Sequence, residues 1–215
     1  MLRSLSFLAA FLLAVPTAQA AAPRCLAGQY DGGAVEIAAR LDLSPEGRFR
    51  YEMSYGALDE RAQGRWEGDG NRIFLSSDPV TPPRFALVSA APAPTNEFRL
   101  ALTVPDGISP QYFNAVLVLS DGRTIGSPLS YEDWVVPLKP DEKVVSVKLQ
   151  LPVFDLESER FPLSAGPASA VRFSFTPNDL GTATFEREPL TIDGRELALK
   201  RHEREIRFQP KRGGC

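Results

Sequence analysis

The chain has 215 residues, 24 basic and 27 acidic side chains, a net charge of −3 and 43% apolar residues. These values exclude global disorder and a basic nucleic-acid-binding surface. One His and two Cys are too few for a zinc cluster built from Cys and His ligands. Because proline and glycine interrupt helices, the 19 Pro and 16 Gly disfavour a mainly helical protein.

Residues 1–20 have the features of a secretory signal peptide. Met1-Leu2-Arg3 gives a positive start, residues 5–15 are almost continuously apolar, and Ala18-Gln19-Ala20 fits a small-x-small cleavage site. The apolar run is shorter than the roughly 20 residues that a transmembrane helix needs. We therefore expect cleavage between Ala20 and Ala21 and export of the protein. Arg greatly outnumbers Lys, as in GC-rich bacterial genomes, which favours the bacterial periplasm as the compartment.

Export changes the interpretation of the two cysteines. Cys25 and Cys215 lie at opposite ends of the exported chain, and an oxidising compartment favours a disulfide between them. A free thiol and an intermolecular disulfide are the alternatives. The chain has no Cys-x-x-Cys motif, so a catalytic dithiol is not expected.

The residues that follow predict a run of antiparallel strands. Apolar and polar residues alternate over 34–43 and again over 48–55, the period of strands that bury one face. Ser44-Pro45-Glu46-Gly47 between them is typical of a β-turn, and Gly68-Asp69-Gly70-Asn71 predicts a second hairpin. We expect residues 25–90 to form an antiparallel meander module, either a small barrel-like sheet or an open sheet.

The turn and core residues of this meander resemble a known module. They are Gly28-x-Tyr30, Pro45-Glu46-Gly47-x-Phe49-x-Tyr51, Gly64-x-Trp66 and Ile73-x-Leu75. The pattern resembles the small lipocalin-like module of bacterial envelope lipoproteins of the copper-resistance and adhesion-sensing type. Residues 55–60 with Gly64-Arg65-Trp66 also resemble uncharacterised proteobacterial periplasmic β-rich proteins. The resemblance implies a fold rather than an activity, and no metal or redox role, because the lipoproteins' Cys-x-x-Cys near the first strand is absent here.

The second part of the chain also predicts strands. Several prolines surround the apolar segment 85–88. Since proline cannot donate to a central ladder, we expect an edge strand there and a module boundary near 90–95. Period-two segments separated by turn signals then continue to residue 208, which is typical of a β-sandwich. Residues 96–210 are predicted to be a β-sandwich-like module, with one helical turn at 110–114, and the fold class to be all-β.

Aromatic residues on the buried face of the meander are candidate ligand contacts. Aromatic rings with a polar tip suit ligand cavities, whereas small barrels are normally filled by their own side chains. We favour the filled core, and keep a ligand-lined barrel mouth as the alternative. The side chains concerned are Tyr30, Phe49, Tyr51, Tyr55 and Trp66.

Carboxylates are the remaining chemical candidates. Asp59 and Glu60 are adjacent, and adjacent residues of an extended chain point to opposite faces, so they make a poor catalytic pair by themselves. The sequence 155–159 holds three acids without the spacing of a calcium loop. His202, the single histidine, lies in a charged run and is predicted to belong to a solvated hairpin turn, since no Gly-x-Ser-x-Gly motif accompanies it.

Two hypotheses about function follow. The first is a non-enzymatic exported module that binds a protein partner, an envelope component or a small apolar ligand, without a cofactor or metal, without nucleic acid, and without a membrane span after signal cleavage. The second is a carboxylate-based hydrolase that uses Asp59 and Glu60. It requires a cleft, a second acid from the far module and a raised carboxyl pKa.

Overall fold

The computed structural model describes residues 26–93, 96–163 and 169–211, and 61% of these described residues are in strands. The all-β prediction is confirmed. Short 3-10 helices at Pro110–Tyr112 and Pro152–Phe154 interrupt the strands, the first of them inside the predicted helical turn. The strands are β1 (Gly28–Ala34), β2 (Ile37–Leu43), β3 (Arg48–Tyr55), β4 (Leu58–Gly68), β5 (Arg72–Ser77), β6 (Arg84–Pro92), β7 (Glu97–Thr103), β8 (Asn114–Leu119), β9 (Thr124–Pro128), β10 (Trp134–Pro137), β11 (Val144–Leu151), β12 (Leu156–Glu157), β13 (Phe161–Pro162), β14 (Ser169–Thr176), β15 (Glu188–Asp193), β16 (Glu196–Arg201) and β17 (Arg204–Pro210).

Eight of these strands form a closed antiparallel barrel. β1 to β5 are successive neighbours, β5 pairs with β15, and β15 to β17 continue the order until β17 pairs with β1. The barrel is therefore an up-and-down barrel with a long insertion between its fifth and sixth strands. Closure removes the unpaired edges that an open sheet would leave. Hairpin turns at 35–36, 56–57 and 202–203 lie at one end of the barrel, which we call the cleft end.

Side chains fill the interior of the barrel. Alternation along β3 buries Phe49, Tyr51 and Met53, each at most 3% exposed. Phe185, from the connection that precedes β15, inserts between them, with its ring 5.2 Å from that of Tyr51 and 5.9 Å from that of Phe49. The aromatic face of the meander is thus mainly core, as small barrels generally require.

The insertion between β5 and β15 forms two further sheets. One has the strand order β10-β7-β14-β6, and the other has the order β12-β11-β8-β9 with β13 also paired to β11. β14 runs parallel to β7 and antiparallel to β6. A second apolar core, which includes Phe98, Phe113 and Phe173, belongs to these sheets. β6 is an edge strand, as the surrounding prolines predicted.

The module boundaries differ from those expected. We assigned residues 96–210 to the sandwich-like module, but β15, β16 and β17 pair with the barrel. Period-two alternation shows that a strand buries one face and carries no information on which strand lies beside it. The alternation over 34–43 also conceals a hairpin: Val35 is 77% exposed, and Glu36 adopts a φ of 66° between β1 and β2.

Several predictions concern residues that the structure does not describe. The signal peptide (residues 1–20) and both cysteines of the expected disulfide, Cys25 and Cys215, lie outside the described residues. Within the described ranges, no helix combines the length and apolar character needed to cross a membrane.

Gly64 in β4 lies where the structure leaves no room for the side chain of alanine. A Cβ atom there would lie 2.0 Å from the Ser76 carbonyl oxygen and 2.8 Å from the Phe49 ring, so the strand pair would have to separate. We expect Gly64→Ala to lower the free energy of unfolding by about 1–3 kcal/mol, the range for overpacking, as measured by urea denaturation. Gly126→Ala is the matched control, because its nearest neighbours would be 3.9 Å away. Equal stability of the two variants would contradict the proposed close approach.

Candidate functional site

A cleft of about 590 Å³ lies where the cleft end of the barrel meets the inserted sheets. Its barrel wall comes from β3, β4 and the turn between β16 and β17. The opposite wall comes from the 3-10 helix after β11 and from the connection between β14 and β15. The lining residues are mostly apolar, and they are Tyr55, Ala57, Leu58, Glu60, Val80, Pro82, Pro83, Pro152, Val153, Phe154, Asp155, Leu156, Asp179, Leu180, Gly181, Thr182, Thr184 and His202.

Residues 182–185, which we call the strap, hold the two walls together. The Arg61 backbone N–H donates to the Gly181 carbonyl at 2.8 Å, and the Ala183 N–H donates to the Arg61 carbonyl at 2.8 Å. The Ser77 N–H donates to the Phe185 carbonyl at 2.9 Å, and the Phe185 N–H donates to the Ser77 hydroxyl at 3.0 Å. These main-chain bonds run along β4 and the end of β5. The backbone groups of the strap and of β4 that border the cleft are therefore already hydrogen-bonded to each other.

Glu60 and Arg201 form a buried ion pair beside the cleft. Nε and one terminal nitrogen of Arg201 donate to the two carboxylate oxygens of Glu60 at 2.5 and 2.6 Å. The side chain of Glu60 is 10% exposed and that of Arg201 is 20% exposed. The guanidinium also lies 4.9 Å above the centre of the Phe185 ring, a favourable cation–π geometry. This bidentate pairing fixes the Glu60 carboxylate in one orientation.

His202 completes this cluster from a turn with unusual backbone geometry. Its Nε2 atom lies 3.3 Å from a Glu60 carboxylate oxygen. His202 and Glu203, the two turn residues between β16 and β17, have φ values of 50° and 59°. Hairpin turns of this type favour Asn and Gly, because positive φ is costly for residues with a larger side chain. The predicted hairpin turn is present, but its histidine contacts Glu60 and lines the cleft.

The ion pair controls the protonation of Glu60. Burial alone would raise the pKa of Glu60, but the hydrogen bonds and positive charge of Arg201, with a smaller contribution from His202, outweigh burial and lower it. Burial, and next the negative charge of Glu60, raise the pKa of the Tyr51 hydroxyl, which stays protonated. The Glu60 carboxyl is therefore an ionised, fixed hydrogen-bond acceptor, and an ionised carboxylate cannot act as a general acid.

The candidate aromatic and acidic residues divide between the cleft and other places. Tyr55 and Glu60 line the cleft. Tyr51 lies behind it in the barrel core, and Tyr30 and Trp66 are buried core residues at 4% exposure each. Asp59 is on the outer face of the barrel, where it accepts a hydrogen bond from Ser54 at 2.7 Å. The two adjacent acids thus point to opposite faces, as an extended strand requires.

Tyr51 and Tyr30 allow a paired test of buried hydroxyls. Among the described residues, the fully buried Tyr51 hydroxyl makes no hydrogen bond of normal geometry, although the Arg201 guanidinium lies close enough to lower its pKa, whereas the Tyr30 hydroxyl donates to the Leu26 carbonyl at 2.9 Å. An unpaired buried hydroxyl costs free energy that its removal recovers. We expect Tyr51→Phe to leave the melting temperature unchanged or to raise it, and Tyr30→Phe to cost about 1 kcal/mol. A clear loss in Tyr51→Phe would mean that its hydroxyl is paired.

Sequence reasoning missed most of the far wall of the cleft. Val153 continues the period-two face of β11, Leu180 and Gly181 are typical of the turn after β14, and neither segment has a chemical motif. Both lie about a hundred residues from β4 in the chain. A weak signal was present in the apolar run that continues past the end of β11 into Pro152. Arg201 was also missed, because a charged residue within a run of charged residues is usually solvated.

The acids of segment 155–159 do not converge. Glu157 binds the side chains of Lys148 and Gln150 at the edge of the inserted sheet that contains β11 and β12, and Asp155 lines the cleft. No group of three or more His, Cys, Asp or Glu side chains in the described ranges is placed to hold a metal ion.

Comparisons of the chain with protein-family models, with curated proteins and with solved structures found no match.

Proposed function

We propose that this chain is an exported, non-enzymatic binding protein that takes a small, largely apolar ligand into the cleft between its barrel and its inserted sheets. The observation that carries the proposal is the cleft itself. Its volume of about 590 Å³ is in the range of small-molecule sites, which are mostly apolar with a few placed polar groups. The fixed Glu60 carboxylate, the Tyr55 ring and His202 supply those polar groups.

The rigidity of the walls supports binding. The strap is hydrogen-bonded to β4 and β5, and Arg204 joins two hairpin turns by donating to the Val35 carbonyl at 3.2 Å and the Tyr55 hydroxyl at 3.1 Å. A preformed cavity loses little conformational entropy when a ligand enters. The up-and-down barrel order also supports the proposed likeness to lipocalin-like envelope modules, and eight-stranded barrels are wide enough either to be filled by side chains or to hold one small ligand. Here the cavity lies beside a filled barrel.

The hydrolase hypothesis has less support. It requires a raised carboxyl pKa, whereas the pKa of Glu60 is lowered and its carboxylate is occupied by Arg201. Asp59 faces away from the cleft. Asp155 and Asp179 are acids on the far wall. The hypothesis also needs a protonated carboxyl at Glu60, and that group is ionised in its pair with Arg201. We therefore place the cleft acids in ligand recognition.

Titration with Nile red, an uncharged apolar fluorophore, tests the proposal. Val153 lines the cleft, and an aspartate there places a charge against an apolar ligand. We expect saturable binding to the exported chain and at least tenfold weaker binding to Val153→Asp. Val88→Asp is the matched control, because Val88 is 59% exposed on edge strand β6 and is not among the cleft residues.

Two results would overturn the proposal. One is the absence of saturable Nile red binding to the folded chain, and the other is equal loss in Val153→Asp and Val88→Asp. Native mass spectrometry of protein purified gently from its host complements the titration. An adduct that is present in the parent chain and absent in Val153→Asp would give the mass of the natural ligand.

A further inference from the structure

The cleft continues into a second, smaller cavity. This annex has a volume of about 190 Å³, and it is lined by Ala57, Gly107, Ile108, Tyr112, Leu151, Val153, Phe154 and Leu180. Four of these residues, Ala57, Val153, Phe154 and Leu180, also line the cleft. The two cavities are therefore adjoining parts of one elongated apolar groove, which runs from Glu60 and His202 towards Tyr112. No lining residue of the annex is charged.

The charged lining of the groove has one sign. Among the described residues that line the cleft or the annex, the acids are Glu60, Asp155 and Asp179, and none is Lys or Arg. Arg201 neutralises Glu60. Asp179 accepts a hydrogen bond from the Thr81 backbone N–H at 2.8 Å, and Asp155 is exposed. Arg50 and Arg61 line a neighbouring cavity that Asp179 also lines, so Asp155 is the acid of the cleft beside which no Lys or Arg is among the described lining residues.

We propose that the ligand is a linear cationic amphiphile of the alkylammonium type. Its positive head lies in the cleft near Asp155 and Asp179, and its hydrocarbon chain passes over Ala57 and Phe154 into the annex. This inference rests on the proposed function and adds the chemical class of the ligand. The cavity carries the site, and the acids determine only the sign of the head group, because an anionic head would meet the like charge of Asp155.

The shape of the groove favours a chain over a compact ring system. A long apolar ligand gains affinity with each methylene that leaves water, by a factor of about four. The annex supplies such burial only to a ligand that extends past Ala57. Ala57 lies in the tight turn between β3 and β4, and its small side chain borders both cavities.

Competition against Nile red distinguishes the alternatives, with each competitor kept below its micellar concentration. Decylamine, octylamine and decanoate are compared at neutral pH on the full exported chain. We expect decylamine to displace the probe about fifteenfold more tightly than octylamine, because two more methylenes are buried. Decanoate is expected to be at least tenfold weaker than decylamine, and Asp155→Asn is expected to reduce that preference.

A variant at the junction tests the path of the chain. Ala57→Trp fills the passage and is expected to abolish the advantage of decylamine over octylamine while both amines still bind. Ala38→Trp is the control, because Ala38 is exposed on the outer face of β2. If Nile red binds the cleft but decanoate competes as well as decylamine, or Ala57→Trp keeps the chain-length effect, this inference fails and the proposed function stands. If Nile red does not bind, both fail.

Discussion

Replacing Glu60 by alanine is expected to lower the free energy of unfolding by about 3–5 kcal/mol, the cost of leaving one partner of a buried ion pair uncompensated. Arg201 would keep its charge at 20% exposure and lose both carboxylate hydrogen bonds. Its contact with the Phe185 ring would remain, but it does not satisfy the guanidinium donors. Urea denaturation followed by far-UV circular dichroism measures the loss.

Two variants control this prediction. Replacing both partners, Glu60→Met with Arg201→Met, is expected to recover most of the loss, because no buried charge then remains unpaired. Glu67→Ala breaks the ion pair with Arg187, in which both side chains are more than half exposed, and is expected to cost less than about 1 kcal/mol. A Glu60→Ala effect no larger than that of Glu67→Ala would show that the Glu60 pair behaves as a surface pair.

The lowered pKa of Glu60 also predicts a dependence on pH. A carboxyl whose pKa is lower in the folded chain contributes stability above its unfolded pKa, and that contribution is lost as the pH falls through the folded value. The ordinary pKa of Glu60 is 4.5. The stability difference between the parent chain and Glu60→Gln is therefore expected to be constant between about pH 6 and 7 and to shrink progressively below about 4.5. A difference that grows on acidification would contradict this assignment.

Trp66→Ala is expected to be the other strongly destabilising substitution, at about 3–5 kcal/mol. Trp66 is 4% exposed in the barrel core, and its indole N–H donates to the Ser44 carbonyl at 2.9 Å. Its backbone N–H donates to the Gly47 carbonyl at 2.9 Å, so the residue also joins β4 to the turn between β2 and β3. Truncation would leave a cavity and remove one of the two hydrogen bonds that the Ser44 carbonyl accepts, the other coming from the Gly47 N–H at 3.1 Å.

Two comparisons isolate the cause of that loss. Trp66→Phe keeps an aromatic ring and removes the hydrogen bond, so a smaller loss of about 1 kcal/mol is expected. Trp134→Ala alters the chain's other tryptophan, which is only partly buried on edge strand β10, and is expected to cost less than Trp66→Ala. An unchanged melting temperature in Trp66→Ala would refute its place in the core.

Strand positions were largely predictable from the sequence because burial of one face imposes a period of two. The alternation around Phe49 and Tyr51 predicts β3, and the turn at residues 44–47 predicts its hairpin with β2. The hairpin around Val35 was not predictable, since its apolar residue continues the alternation although the chain has already turned. Period-two alternation does not reveal a turn when the apolar residue of that turn falls in phase with the strand residues on either side.

The candidate site was only partly predictable. Tyr55 was identified as an aromatic residue of the meander and Glu60 as one of two adjacent acids, and both line the cleft. His202 was assigned to a solvated turn, and the turn is exposed, but its contact with Glu60 was not predicted, because that contact joins residues 142 positions apart. Such contacts depend on barrel closure, which no local pattern encodes.

The sequence by itself determined that this chain is all-β, where most of its strands lie and that its aromatic face is buried, because these properties follow from local alternation and turn chemistry. Only the tertiary structure decided that the last three strands close the barrel around an inserted pair of sheets. That closure brings Arg201 and His202 to Glu60 and leaves a groove beside Phe154. The physical reason is that strand pairing satisfies backbone groups common to all residues, so side-chain patterns cannot specify which distant strand becomes the neighbour.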